Sequence, residues 1–302
     1  MHNFQTTTFY DRTGLLIAIV LIAMMMLPIT AAVAQSQPAS TAAPLDPAKP
    51  TLWLIGDSTV RTGQDTGDNG QWGWGNPIAH YFDRTRINVA NRGAGGTSTR
   101  TYYRDKWAPV LEAIKPGDFL VMEFGTNDGG QINEPPGPSA RARGSIRSNG
   151  DETQEIENLL TGKHEIVHSY GWYLRQFIAE AKAKGAVEFY VCSTTARSDW
   201  KDGKLGRNTT YNTLSEAAAK QVGAFYIPLN QMACDRFEAI GEEKTKSEYY
   251  PDNEKVHPAW LGAILHAECV VDTVKSLEQS KLKNYLLPEA PKGLKNPTGK
   301  PR

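Results

Sequence analysis

Cysteine is scarce: the 302-residue chain has three, an odd number, so no disulfide framework holds it together. Excess charge is missing too. The 33 lysines and arginines meet 33 aspartates and glutamates; without a basic field, neither nucleic acid nor an anionic membrane surface is an expected partner. There is no internal repeat, and only one long apolar run. That run, Gly14–Leu27, follows Arg12, carries no charge, and leads through Pro28 to Ala32-Val33-Ala34 before Gln35. This is the layout of a secretory signal peptide over residues 1–34, cleaved near Ala34. It is short for a membrane span, which needs about 20 apolar residues. The expected mature protein is therefore secreted or periplasmic and free of the membrane.

Beyond residue 34 the chain reads as a single domain behind a short leader. Residues 35–49 are rich in Ser, Thr, Ala, Pro and Gln without periodicity, a flexible leader. From Pro50 onward, apolar runs bounded by turn residues alternate with stretches of helical period. Strands are expected at Thr51–Gly56, Ile87–Asn91, Asp118–Phe124, Val187–Ser193 and Ala224–Leu229. Helices are expected at Gly75–Phe82, Thr101–Ile114, Tyr170–Lys184, Thr210–Val222 and Pro258–Leu277. Such alternation predicts an α/β protein, a three-layer α/β/α sandwich on a parallel sheet of about five strands. Gly129–Gly162 is too long for an ordinary strand-to-helix connection and reads as a functional, lid-like loop. Residues 50–278 form the domain, and 279–302, proline-rich and basic, read as a flexible tail.

In an open α/β sheet ligands bind outside the carboxyl ends of the strands, and the residues just past the strands here are polar. The first strand runs into Asp57-Ser58-Thr59, the second into Arg92-Gly93-Ala94-Gly95-Gly96, and the third into Gly125-Thr126-Asn127-Asp128. Asp252-Asn253-Glu254-Lys255-Val256-His257 precedes the last helix. Acyl transfer needs these types: a hydroxyl nucleophile, an imidazole to take its proton, a carboxylate to orient the imidazole, and donors for the oxyanion. Ser58 and His257 fit the first two roles. Ser58 N–H, Gly96 N–H and the Asn127 amide fit the last.

The blocks Gly56-Asp57-Ser58-Thr59, Gly96, Gly125-x-Asn127-Asp128 and His257 resemble the SGNH, or GDSL-like, hydrolases, in order and spacing, from about Leu52 to Ala267. Asn91–Tyr102, Phe124–Gly130 and Val167–Phe177 are most similar to the rhamnogalacturonan acetylesterase branch. The resemblance implies a flavodoxin-like fold, a serine mechanism, no cofactor or metal, and an acetylated polysaccharide or oligosaccharide as partner. Two departures stand out. The family's last block has an aspartate three residues before the histidine; here that position is Glu254, with Asp252 five before, so Glu254 has the position and Asp252 the residue type. Thr126 stands where the branch commonly carries histidine.

Competing signals remain. His164-Glu165-Ile166-Val167-His168 has the spacing of a zinc peptidase if helical, with Glu188 at a plausible distance for a third ligand, but Leu174 stands where a metzincin needs its third histidine. Gly162 and Gly171 bracket the segment and weaken a helix across it. The Gly93–Ser98 run misses the last glycine of a dinucleotide fingerprint. Asp57, Trp72, Trp74, Trp172 and Trp200 are candidate sugar contacts, and Arg100 and Arg197 candidate partners of a uronate carboxylate. Cys192 reads as buried in a strand, and a Cys234–Cys269 disulfide depends on distance. Other readings are a xylan acetylesterase, a lipase or thioesterase, and a non-catalytic glycan-binding module.

Overall fold

The computed structural model describes residues 44–63, 66, 67 and 69–298. The expected signal peptide and the leader up to residue 43 lie outside them. β1 (Thr51–Gly56), β2 (Asn88–Asn91), β3 (Phe119–Glu123), β6 (Glu188–Cys192) and β9 (Phe225–Ile227) make one parallel sheet in the order β2-β1-β3-β6-β9. All five lie at the predicted positions. Two antiparallel hairpins stand apart from this sheet: β4 (Thr153–Asn158) with β5 (Lys163–His168), and β7 (Trp200–Lys201) with β8 (Lys204–Leu205).

Alternation along the strands divides the core into two. Leu52 and Leu54 of β1, Phe119 and Val121 of β3, and Tyr190 and Cys192 of β6 face one side. There they pack on α5 (Leu229–Ile240) and α7 (Trp260–Ser276), through Ala233, Cys234, Phe237, Val270 and Val274. Trp53, Ile55, Leu120, Met122 and Val191 face the other. They meet α1 (Thr99–Asp105), α2 (Trp107–Ala113), α3 (Tyr170–Ala183) and α4 (Thr209–Val222), through Tyr102, Trp107, Phe177 and Ala218. The three-layer sandwich is as predicted. No helix among the described residues is long and apolar enough to cross a membrane.

Several local expectations are corrected. The helix expected at Thr101–Ile114 is two helices that meet at Lys106, whose φ of −128° breaks the spiral. The one at Gly75–Phe82 is a 3-10 turn, Pro77–Tyr81. The sequence reading assigns nothing to α5, nor to α6 (Glu242–Lys244) and the π-turn Thr245–Tyr249 after it. Gly129–Gly162, expected as a lid-like loop, contains β4. The tail is packed, not flexible, as far as Leu294: Lys281 N and Leu282 N donate to the Glu188 carboxylate, at 2.7 and 3.1 Å. Leu282 is fully buried, and Trp260 Nε1 donates to Leu294 O at 3.0 Å. The leader's last residues are tied down as well, since Asp46 N and O both bond the Asn88 side chain. All three cysteines are free and buried.

Candidate active site

The chain leaves β1 for β2 on one side and crosses back to β3 on the other, so the strand order reverses between β1 and β3. Their ends lie level, with Gly56 opposite Glu123. A crevice at such a reversal is where doubly wound sheets bind ligands, and Ser58 and Asn127 come directly after these two ends.

The Ser58 turn is shaped from below. A Cβ on Gly56 would fall 2.3 Å from Val60 Cγ2 and 2.4 Å from Glu123 O, so only glycine lets the strand turn this tightly. Asp57 O accepts Val60 N and Arg61 N, at 3.2 and 3.1 Å, closing a helical turn around the serine. The Asp57 carboxylate points inward. It is fully buried and its Oδ1 accepts Thr59 N and Thr59 Oγ1, at 2.8 and 2.7 Å. The same hydroxyl is hydrogen-bonded to Glu123 Oε2. One hydroxyl has one proton, so if it donates to Asp57 it must accept from Glu123, which is then a neutral acid. Burial first, and the Asp57 charge second, push the Glu123 carboxyl well up, in agreement. Asp57 is thus a support of the serine turn and not the sugar contact expected of it.

The other blocks close around Ser58. Ala94 N donates to Gly56 O at 2.8 Å, which brings the glycine loop against the serine: a Cβ on Gly95 would sit 3.8 Å from Ser58 Cβ. Gly96 comes next at φ +77°. Asn127 Nδ2 donates to Thr97 O at 2.8 Å, which turns the amide toward this loop. Beneath it, Asp128 accepts Gly125 N, Thr99 N and Ser145 Oγ at 2.9 to 3.1 Å, and Thr99 Oγ1 as well. Burial outweighs these bonds and raises its carboxyl to about 6.

Ser58 Oγ and His257 Nε2 are 2.8 Å apart, although 199 positions separate them. The histidine's loop is held by Trp72 N donating to Pro258 O and Ser198 N to Lys255 O, both at 2.8 Å. Glu254 Oε1 accepts the backbone N–H groups of Lys255, Val256 and His257, at 2.8, 2.7 and 3.2 Å. Gln71 Nε2 donates to Oε2 at 2.7 Å. Partial burial works to raise this carboxyl, but the backbone bonds outweigh it and hold it below the usual range. Glu254 Oε2 lies 3.7 Å from His257 Nδ1, within ion-pair distance though not yet a hydrogen bond. Asp252 is exposed at φ +62°.

The other expected contacts lie elsewhere. Trp72 and Trp74 are 1% and 0% exposed, Trp72 edge-on to Trp260. Arg100 is fully buried and grips Glu165 with two bonds of 2.7 Å. Trp172 stacks on His168 at 3.6 Å and meets Tyr103 and Tyr173. Trp200, half-buried in β7, packs on the core. Trp72, Trp74 and Arg100 are therefore closed off from a sugar, contrary to expectation, while Trp172 and Trp200 keep a partly exposed surface. Arg197 stays half-exposed, 3.3 Å from Asp199.

His164 and His168 sit on strand β5, not a helix. Four residues of strand separate them by about 13 Å, too far for one zinc ion. Among the described residues no group of three or more His, Cys, Asp or Glu side chains is arranged to hold a metal. The sequence reading missed Arg143, whose Nη1 donates to Gly96 O at 3.0 Å. Its only signal was its place in the long insertion.

A serine hydroxyl on a histidine, at a sheet crossover and beside the Asn127 amide, is the arrangement of a serine esterase. The model of the GDSL-like lipase/acylhydrolase family matches residues 54–263, and the chain belongs to that family. It is 28% identical over 226 residues to a rhamnogalacturonan acetylesterase of Emericella nidulans, covering 74% of this chain and 84% of that one. It is 27% identical over 231 residues to a probable rhamnogalacturonan acetylesterase of Bacillus subtilis, YesY, covering 75% and 93%. The crystal structure of Bacillus subtilis YxiM superposes with a TM-score of 0.59 at 27% identity, covering 76% of this chain and 56% of that one. This chain thus spans little more than half of YxiM. The protein is a serine esterase with acetylesterase relatives.

Proposed function

We propose that the protein removes acetyl groups from a plant cell-wall polysaccharide, with rhamnogalacturonan the first candidate. Ser58 Oγ attacks the acetyl carbonyl carbon while its proton passes to His257 Nε2. The carbonyl oxygen takes the negative charge and is met by Ser58 N–H, Gly96 N–H and the second N–H of the Asn127 amide. As the tetrahedral intermediate collapses, the carbon–oxygen bond to the sugar breaks and the sugar oxygen takes the proton from His257. Water then repeats the sequence on the acetyl-serine and releases acetate. Glu254 steadies the imidazolium through Nδ1, closing from 3.7 Å as charge develops.

The observation that carries this reading is the 2.8 Å contact of Ser58 with His257. The choice of substrate rests on the two acetylesterase relatives that align over about three quarters of the chain. The test is acetate released from acetylated rhamnogalacturonan, acetylated xylan and p-nitrophenyl acetate. Rhamnogalacturonan is expected to be the best polymer, and preference for xylan would move the substrate. Ser58→Ala is expected to lower kcat by about 10³-fold or more with the fold intact; retained activity would sink the mechanism. We also propose export, on the Gly14–Leu27 run and the Ala32-Val33-Ala34 site. Mass spectrometry of the exported protein should then find Gln35 at its N-terminus.

A further inference from the structure

Beside Asn127, behind Gly125 and Thr126, a cavity of about 380 Å³ opens, in the lower range of small-molecule sites. Arg147, Arg197 and Arg207 reach it from three separate segments, joined by Asn208 and Tyr211. Asp199 is the one carboxylate in its lining. The three guanidinium groups are not equally paired with carboxylates. Arg207 is held by Asp235 at 2.6 Å and by Glu238. Arg197 shares Asp199 with Lys255, at 3.3 and 3.4 Å. Arg147 has no carboxylate within 4.0 Å among the described residues.

Next to Arg147 stands a buried hydroxyl. The polar neighbour of Tyr211 Oη is the Arg147 guanidinium, whose N–H it can accept while keeping its own proton to donate. A point one bond out from Gly129 Cα lies 3.5 Å from Tyr211 Oη and 3.7 Å from Arg147 Nη2, so donors from the two side chains converge there. The absence of a side chain at Gly129 leaves the space between them open. A planar guanidinium fork with a neighbouring hydroxyl matches a carboxylate, which accepts two parallel N–H bonds and a third from the O–H. Arg147 is exposed, so a carboxylate would exchange its hydrating water for a paired anion, which a neutral sugar does not offer.

We propose that this cavity is an acidic-sugar subsite, in which Arg147 and Tyr211 bind the carboxylate of a uronate unit of the substrate chain near the acetylated one. It rests on the reading of the protein as a polysaccharide acetylesterase and decides what that reading leaves open, acidic polymer against neutral. Arg197 guards the rim, and the backbone amides at the start of α4, beside Asn208, add positive potential.

The test uses ligands that carry no ester, so that it stands apart from the question of which polymer is deacetylated. Trigalacturonate and a neutral trisaccharide of similar size are measured as inhibitors of p-nitrophenyl acetate hydrolysis by the full chain. Trigalacturonate is expected to inhibit competitively, and Arg147→Met to raise its Ki about tenfold, the loss of one charge-assisted pair. Arg147→Lys, which keeps the charge without the fork, should fall between. Equal inhibition by the neutral trisaccharide, no inhibition by trigalacturonate, or an unchanged Ki in Arg147→Met would each overturn the subsite. Release of acetate from polysaccharide by the same preparation tests the acetylesterase reading separately.

Discussion

At the scale of single residues, two carboxylates compete to orient His257, and their backbone surroundings separate them. Glu254 is fixed by three backbone N–H groups and Gln71, with Oε2 facing the imidazole. Glu254→Gln is therefore expected to lower kcat about tenfold or more, and Asp252→Asn to change it little. The reverse order in steady-state kinetics would make Asp252 the partner. His266 is a residue the chemistry does not use. It is buried in α7, with Nδ1 2.8 Å from Gly262 O and Nε2 accepting Ala196 N at 3.1 Å, so a second ring proton has no acceptor. Burial lowers its pKa from 6.5 to about 4. The unfolded chain therefore binds one more proton across that window, and this residue's share of stability falls as pH drops from 6.5 to 4. Asp128, raised to about 6, acts with the opposite sign over much of the same range. Denaturant unfolding of His266→Gln at several pH values should lack the acid-side loss, a difference of about 3 kcal/mol between pH 6.5 and 4. Parallel pH curves for the two proteins would refute the neutral histidine.

At the scale of elements, five strands and the outlines of the main helices were legible, because each carries its own period and turn residues. The β4–β5 hairpin was not. Its strands bury few side chains, Ile156 and Asn158 on one and Val167 on the other, so the apolar signal is too thin to read. The tail was misread for a related reason: its prolines and lysines look unstructured, yet Leu282 fills the core between α7 and the sheet. Leu282→Ala is expected to cost about 3 kcal/mol and lower Tm by several degrees. A wild-type Tm in that variant would mean that the tail only decorates the domain. Arg100 ties α1 to β5 through Glu165, and to the insertion through Ile132 O and Gly144 O, at 2.7 and 3.0 Å. It is a buried rivet under the loop that carries Arg143 and Arg147.

At the scale of the whole molecule, formal neutrality means no long-range steering of a charged polymer. The proposed recognition of an acidic chain would then rest on a few arginines at the crevice. Raising ionic strength from about 0.05 to 0.5 M is expected to lower kcat/KM on acetylated rhamnogalacturonan by less than about fivefold; a steeper fall would reveal a binding field larger than these contacts. The sequence by itself determined the layered α/β architecture and the four polar blocks at the strand ends. Both are local properties, periodicity along a strand and the turn chemistry just past its end. Only the tertiary structure decided which groups meet. Glu254 at His257, Arg100 turned inward to Glu165, Trp72 and Trp74 closed into the interior, and Arg147 brought beside Tyr211 all depend on contacts made in the folded chain. Burial and pairing of that kind are set by which faces the folded layers bring together, a quantity that no local pattern encodes.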